Sequence, residues 1–138
     1  MGRLIGIDYG LKRVGLAMTD PLQIIASPHE TISSSEILDY LKALVRDEEV
    51  EAFVLGWPLN LQGEVTDSTA SVQKFEEKLK KIFPSLPVHR QDERFTSKMA
   101  VQSMVQGGMK KKDRRDKSNI DKISASIILQ SYLESKQL

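Results

Sequence analysis

The chain has 138 residues, no cysteine and a formal net charge of +1 at pH 7. This length can bury a core without metal or disulfide crosslinks, so we expect one domain over residues 1–138. The lack of cysteine excludes disulfides, thiolate zinc sites and a cysteine nucleophile, which leaves oxygen and imidazole ligands for any bound metal.

The sequence contains no signal for a membrane. No apolar run reaches the roughly 18 to 20 residues of a membrane-spanning helix. The opening residues, MGRLIGIDYG, have the pattern of a β-strand rather than that of a signal peptide. We therefore expect a cytoplasmic protein without a membrane partner, and the absence of cysteine fits such a reducing compartment.

The first part of the chain predicts three β-strands. Residues 4–8 form an apolar run that ends in a carboxylate, and residues 13–18 form a second β-like segment. Residues 23–28 can supply a third strand after the turn signal Asp20-Pro21. A three-stranded meander is therefore expected to open the domain.

Helical and strand patterns then alternate. Ser33 and Glu36 have capping-box spacing before a run with helical periodicity, which predicts a helix over about residues 35–48. Residues 52–56 have the pattern of a short buried strand, and residues 87–91 supply another. Between them a helix is predicted from apolar residues at helical spacing: Val72, Phe75, Leu79 and Ile82.

Two more helices are predicted in the last third of the chain. Thr96 or Ser97 can cap a helix that carries Met99 and Met104 inward and stops at Gly107-Gly108. Residues 107–118 are rich in glycine and then in charge, which is typical of a mobile loop. Residues 119–134 are strongly apolar and predict a buried helix. The resulting order, βββ-α-β-α-β-α-α, favours a mixed sheet covered by helices.

Charge is unevenly distributed along the chain. Residues 30–67 carry nine Asp or Glu and two Lys or Arg, whereas residues 110–117, KKKDRRDK, carry six Lys or Arg and two Asp. A polyanion would be attracted to the second region and repelled by the first. The alternative is a solvated loop whose charges keep the protein soluble.

Three carboxylates lie where predicted elements should meet. Asp8 and Glu93 are at the carboxyl ends of strands, where the working groups of α/β sheets collect. Asp121 lies in the first turn of the last helix and shares a side with Ala125, whose small side chain would let the helix approach the sheet. Carboxylates brought together repel one another unless a cation neutralises them, which predicts a site for Mg²⁺ or Mn²⁺. Two such ions can activate water and stabilise the leaving oxygen of a phosphodiester.

Each carboxylate also has a purely structural explanation. Asp8 can cap a turn. Glu93 can pair with Arg94 or with another surface cation. Asp121 can stabilise its helix start together with Ser118. These explanations are independent, and they do not account for carboxylates on just those elements that should meet.

Four segments, in this order, resemble the YqgF family, also called RuvX, a family of pre-16S rRNA nucleases related to the RuvC resolvase. The segments are GIDYGLKRVGLAMTD, GWPLNLQG, DERFTS and IDKISASIILQSYL. They span almost the whole chain. The resemblance implies a ribonuclease H-like α/β fold, a mixed five-stranded sheet with helices on both faces.

The resemblance also implies roles for individual residues. It implies a catalytic and metal-binding site of three carboxylates: Asp8, Glu93 and Asp121. It implies phosphate contacts by cations within the matched motifs: Lys12, Arg13 and Arg94. The segment of residues 110–117, which we call the basic segment, would add nucleic-acid contacts by five further cations: Lys110, Lys111, Lys112, Arg114 and Arg115. Two positions depart from the family pattern: Ser124-Ala125 replaces paired alanines, and Trp57 replaces an aliphatic residue. Trp57 either packs under the sheet or stacks on a base.

The function implied by the resemblance is cleavage of structured precursor rRNA during maturation of the 5′ end of 16S rRNA. One alternative is a Holliday-junction resolvase that acts on branched DNA, and another is a non-catalytic RNA-binding factor in ribosome assembly. The GIDYG motif also resembles the phosphate motif of sugar kinases and actin-like ATPases, but those proteins need two such domains and this chain has room for one. A homodimer stays open, because no interface composition or heptad pattern decides it.

Overall fold

The computed structural model describes most of the chain. The described residues are 2–60, 62–93, 99, 102, 105–108, 110 and 116–136. The five strands are β1 Arg3–Tyr9, β2 Arg13–Thr19, β3 Ala26–Ser33, β4 Val50–Trp57 and β5 Val88–Asp92. The helices that we number are α1 Ile37–Asp47, α2 Asp67–Ile82 and α3 Lys117–Lys136. Residues 1–138 as one domain stays a prediction.

The strands form one mixed sheet in the order β3-β2-β1-β4-β5. The pairs β1–β2 and β2–β3 are antiparallel, whereas β1–β4 and β4–β5 are parallel. The carboxyl ends of β1, β4 and β5 therefore lie along one edge of the sheet. We call this edge, where the sequence predicts the catalytic carboxylates, the catalytic edge. It holds Asp8 of β1 and the end of β5.

Helices cover both faces of the sheet, which confirms the predicted architecture. One face packs against α1 and α2 around a core that includes Ile7, Leu16, Leu41, Phe53 and Phe75. The other face packs against α3 around Leu4, Ala17, Val54, Ala125 and Leu129. Among the described residues, no helix combines the length and the apolar content that crossing a membrane requires.

Two local predictions at the start of the chain need correction. The third strand runs from Ala26 to Ser33 rather than over residues 23–28, because the Asp20 carboxylate accepts hydrogen bonds from three backbone N–H groups of the loop before Ala26. The predicted capping box before α1 is wrong, since Glu36 occupies the N-cap position without a side-chain cap. Ser33 is still part of β3, and its hydroxyl hydrogen-bonds with that of Ser35.

The predicted helix after residue 95 lies largely outside the described residues, and so does Met104. Met99 is described and is 45% exposed, so the prediction that it points inward is wrong.

Close packing of α3 on the sheet depends on two glycines. A methyl group at Gly15 would overlap the backbone carbonyl of Asp121, and one at Gly6 would lie 2.9 Å from the carbonyl oxygen of Ala125. The sequence predicts this approach from the small side chain of Ala125 on the helix, and Ala125 is fully buried. The sheet contributes as much, because its own strands lack Cβ atoms where the helix crosses. Gly15 pairs with Asp8 in the register of β1 and β2, so the helix start is held beside Asp8.

Candidate active site

Asp8 and Glu93 come from different strands and meet at the catalytic edge. Glu93 directly follows β5, and its backbone N–H donates to the carbonyl of Trp57 at 3.3 Å, which holds it at the end of β4. Its side chain extends over Gly56, where any Cβ would collide with the Glu93 carboxyl group. A glycine in β4 thus leaves the space through which Glu93 reaches Asp8.

The two carboxyl groups share a hydrogen bond and have raised pKa values. Burial raises the pKa of Glu93 to about 9, and the negative charges of Asp8 and Asp92 add to the rise. Burial also raises the pKa of Asp8 to about 6, an effect that Asp121 strengthens and the hydrogen bond from Glu93 opposes. At neutral pH Glu93 is therefore protonated and donates its proton to the ionised Asp8.

Asp121 lies beside this pair but has a partner of its own. Its Oδ2 accepts a hydrogen bond from Arg13 Nε at 2.7 Å, and its charge contributes to the raised pKa of Asp8. Within the described part of the chain, no three Asp, Glu or His side chains are arranged closely enough to hold one ion. The structure thus joins Asp8 to Glu93 directly and places Asp121 next to them in an ion pair with Arg13.

The structural explanation proposed for Asp121 is not the one observed. Asp116 rather than Asp121 serves the start of α3, because its carboxylate accepts hydrogen bonds from the backbone N–H and the hydroxyl of Ser118 at 2.9 Å. The carboxylate of Asp121 is directed toward the sheet instead, where it contacts Arg13.

A cleft of about 390 Å³ opens at this site, and we call it the catalytic cleft. Asp8 and Asp121 line it together with six other residues: Gly10, Leu11, Lys12, Arg13, Ser68 and Lys117. Three of these side chains are cationic, so a phosphate that enters the cleft meets positive charge around the carboxylates.

Sequence reasoning missed Lys117 as a site residue. A signal for it was present, because Lys117 precedes Asp121 by four residues and therefore lies on the same side of α3. Lys12 and Arg13, which were predicted as phosphate contacts, do line the catalytic cleft.

The other predicted cations have mixed outcomes. Lys110 is exposed. The remaining five lie outside the described residues: Arg94, Lys111, Lys112, Arg114 and Arg115. Trp57 packs against the core between the sheet and helices α1 and α2, and the Arg90 guanidinium lies 3.8 Å from its ring centroid. Packing on the sheet is thus confirmed for Trp57.

The chemistry of the pair fits a hard divalent cation. Two carboxyl groups in a poorly solvated position keep one proton between them, because two adjacent negative charges are disfavoured there. A cation that takes the place of this proton relieves the same repulsion, and carboxylate oxygens are the ligands that Mg²⁺ and Mn²⁺ prefer.

The model of the RuvX family, described as a Holliday junction resolvase, matches residues 2–135. The chain belongs to the RuvX family. A relative from Amoebophilus asiaticus, named "Putative pre-16S rRNA nuclease", is 53% identical to this RuvX chain over 135 residues, which are 98% of this chain and 96% of the relative. A relative of the same name from Bacteroides fragilis is 46% identical over 138 residues and is covered completely, as is this chain.

Solved structures show the fold of this RuvX chain. Thermus thermophilus RuvC in complex with a Holliday junction substrate superposes with a TM-score of 0.60 at 15% identity, over 99% of this chain and 96% of that one. The fowlpox virus Holliday junction resolvase superposes with a TM-score of 0.55 at 16% identity, over 96% of this chain and 99% of that one. The ribonuclease H-like fold that the sequence predicted is thereby confirmed.

Proposed function

We propose that this chain is a metal-dependent nuclease that hydrolyses phosphodiester bonds of precursor 16S rRNA during maturation of its 5′ end. The observation that carries the proposal is the hydrogen-bonded pair of Asp8 and Glu93, which lies at the catalytic edge beside a cleft with three cations. The family and the names of its full-length relatives support the same activity and substrate.

In this proposal three carboxylates would hold Mg²⁺ or Mn²⁺. Asp8 and Glu93 are in contact already, and Asp121 joins them if its Oδ2 exchanges Arg13 for the cation. Divalent ions bound there would supply an activated water and would stabilise charge on the leaving oxygen. Glu93 must lose its proton to become a ligand, so cation binding should strengthen as the pH rises toward its pKa of about 9.

The cations of the catalytic cleft would bind and orient the substrate. Arg13 uses its Nε–H for Asp121, and its other N–H groups can face a phosphate oxygen. Lys12 and Lys117 also line the cleft and add positive charge to it. Arg94 and the cations of the basic segment from Lys110 to Arg115 are proposed as further phosphate contacts on the basis of the sequence.

A second candidate is cleavage of four-way DNA junctions. The family model carries the description of a Holliday junction resolvase, and a RuvC structure that shares the fold contains such a junction. Phosphate contacts are largely blind to sequence, so the cationic cleft suits either polyanion.

The test is a side-by-side cleavage assay with fresh Mg²⁺ or Mn²⁺, using a precursor RNA with a 5′ extension and a four-way DNA junction. We expect cleavage of the RNA, and a loss on the order of 10²-fold or more in the Asp8→Asn variant, whose binding of RNA stays nearly unchanged. Asp39→Asn is the matched control, because Asp39 is exposed on α1.

Each other outcome selects a different function. Cleavage of the junction alone would replace the proposal with resolution of branched DNA. Binding of RNA without cleavage of either substrate would make the chain a non-catalytic RNA-binding factor. Equal activity of Asp8→Asn and wild type would remove the acidic pair from the mechanism.

A further inference from the structure

A continuous depression leads away from the catalytic cleft along α2. The cleft adjoins a smaller cavity of about 140 Å³, and Leu11 and Ser68 border both. This second cavity adjoins a third of about 250 Å³, and Leu11 and Ser71 border both. We call the second and third cavities the α2 groove.

The wall of the α2 groove is held in place by the segment before α1. Leu11 is 75% exposed at the turn between β1 and β2. The hydroxyl of Ser34 donates to the Leu11 carbonyl, and the Ser34 backbone N–H donates to the Lys12 carbonyl at 3.0 Å. Leu11 is thus presented at the junction of all three cavities by a fixed turn.

The floor of the α2 groove is aromatic. Tyr9, which lines both of its cavities, stacks on Phe75 of α2 with ring centroids 4.4 Å apart and an angle of 20° between the rings. Phe75 is buried in the core, so the Tyr9 ring is anchored from below. An apolar wall and an aromatic floor suit the sugar and base of a nucleotide.

The far end of the α2 groove is positively charged. Lys74 and Lys78 line the third cavity, are exposed, and lie one turn apart on α2. Neither forms an ion pair with a residue in the described part of the chain. Like charges at this spacing repel each other, so an anion between them would be favourable.

The middle of the depression has the opposite character. Asp67 lines the second cavity, where its carboxylate disfavours a phosphate. Positive charge is therefore found at both ends, in the catalytic cleft and at Lys74 and Lys78. The small, partly apolar second cavity lies between them. From Ser68 to Lys78 the helix rises about 15 Å, a span of a few nucleotides.

We propose that the α2 groove binds the single nucleic-acid strand that flanks the scissile phosphate. Lys74 and Lys78 contact its phosphates, and Tyr9 and Leu11 contact a sugar and base in the second cavity. The inference rests on the proposed nuclease function, since it assigns a path to the substrate of the same site. The small volume of the second cavity, about 140 Å³, favours one unpaired strand over a duplex where the substrate crosses α2.

The test measures binding rather than cleavage. A labelled oligouridylate of ten nucleotides is titrated with protein in EDTA at several salt concentrations. For the Lys74→Gln/Lys78→Gln variant, the slope of log Kobs against log [salt] should fall by about 1.4, since each phosphate contact on a single strand contributes about 0.7. Arg46→Gln/Lys136→Gln is the matched control, and its slope should equal that of wild type.

The control removes the same charge from the opposite edge of the sheet. Arg46 lies in the last turn of α1, which precedes the start of β4, and Lys136 lies in the last turn of α3. The lysine variants should fold normally, because both lysines are exposed, and their melting temperatures verify this. A Leu11→Ser variant should weaken binding of the oligouridylate without changing the salt slope, because Leu11 carries no charge.

The outcomes separate the groove from the nuclease activity. Three outcomes would overturn the proposal that the α2 groove binds a single strand. They are an unchanged salt slope in the lysine variant, an equal decrease of the slope in the control variant, and a decrease seen only with blunt duplex RNA. If the lysine variant has a reduced salt slope with single strands but the wild-type protein cuts no substrate, the binding role of the groove stands and the proposed nuclease activity is overturned. If the wild-type protein cleaves precursor RNA but the lysine variant keeps the wild-type salt slope, the nuclease activity stands and the binding role of the groove is overturned.

Discussion

Glu76 shows how a single buried charge is accommodated in this fold. Its side chain is only 4% exposed, and its two carboxylate oxygens accept hydrogen bonds from Arg90 Nε and Nη2, each at 2.8 Å. The same guanidinium stacks over Trp57. The three residues therefore link α2, β5 and β4. Arg90 covers the ring of Trp57, the residue that stands where the RuvX pattern has an aliphatic side chain.

We expect Glu76→Gln to lower the free energy of unfolding by about 1 to 3 kcal/mol at pH 7, because the charge-assisted pair with Arg90 is lost. Arg90 holds the pKa of Glu76 below its ordinary value of 4.5. A carboxyl group whose pKa is lowered in the folded state stabilises the protein above its unfolded pKa, and this contribution is lost as the pH falls through the folded pKa. The difference between wild type and variant should therefore be constant above about pH 5 and shrink below pH 4.5.

Urea unfolding from pH 3 to pH 7 measures this difference. Glu77→Gln is the control, because Glu77 is the exposed neighbour on the same helix. A difference of equal size at pH 3.5 and pH 7 would show that the ionised Glu76 contributes nothing to stability.

At the scale of elements, the docking of α3 decides where Asp121 lies. We expect Gly15→Ala to cost about 1 to 3 kcal/mol of stability and to impair cleavage, because the added methyl group pushes the Asp121 backbone away from β2. Gly6→Ala should also destabilise the protein, but it acts next to Ala125, one helical turn farther from the site, and should retain more activity. Thermal unfolding and the cleavage rate of precursor RNA are measured together. Equal rates for Gly15→Ala and wild type would show that the position of α3 does not control the site.

The element order and the acidic site were predictable because each depends on local pattern. Apolar periodicity predicted most elements to within two residues of their observed bounds: β1, β2, β4, β5, α1 and α3. Asp8 and Glu93 lie at the ends of strands that parallel pairing brings to one edge. The pair that Asp121 forms with Arg13 was not predictable, because 108 residues separate them and the contact depends on how α3 crosses the sheet. Gly6, Gly15 and Gly56 were missed for the same reason, since the need for a missing Cβ appears only when the opposing element is in place.

At the scale of the whole molecule, opposite charges gather at opposite edges of the sheet. Acidic residues concentrate where α1 ends and β4 begins, with Asp47, Glu48, Glu49 and Glu51 in sequence. Lys12, Arg13 and Lys117 lie in the catalytic cleft, and Lys117 is the last residue of the basic segment. A polyanion approaching such a molecule is turned toward the catalytic edge before it makes contact.

The basic segment gives the corresponding prediction. Replacing five of its cations with Ser should weaken RNA binding and flatten the salt dependence of that binding. The five are Lys110, Lys111, Lys112, Arg114 and Arg115. If all five contact phosphates of a single strand, the slope of log Kobs against log [salt] falls by about 3.5, at about 0.7 for each contact. A general effect of net charge would instead reduce binding by the same amount per charge at any position. Filter binding in EDTA separates these two explanations, with Arg46→Gln/Lys136→Gln as the control variant. If both variants change the slope equally per removed charge, the segment acts only through long-range electrostatic attraction and does not contact phosphates.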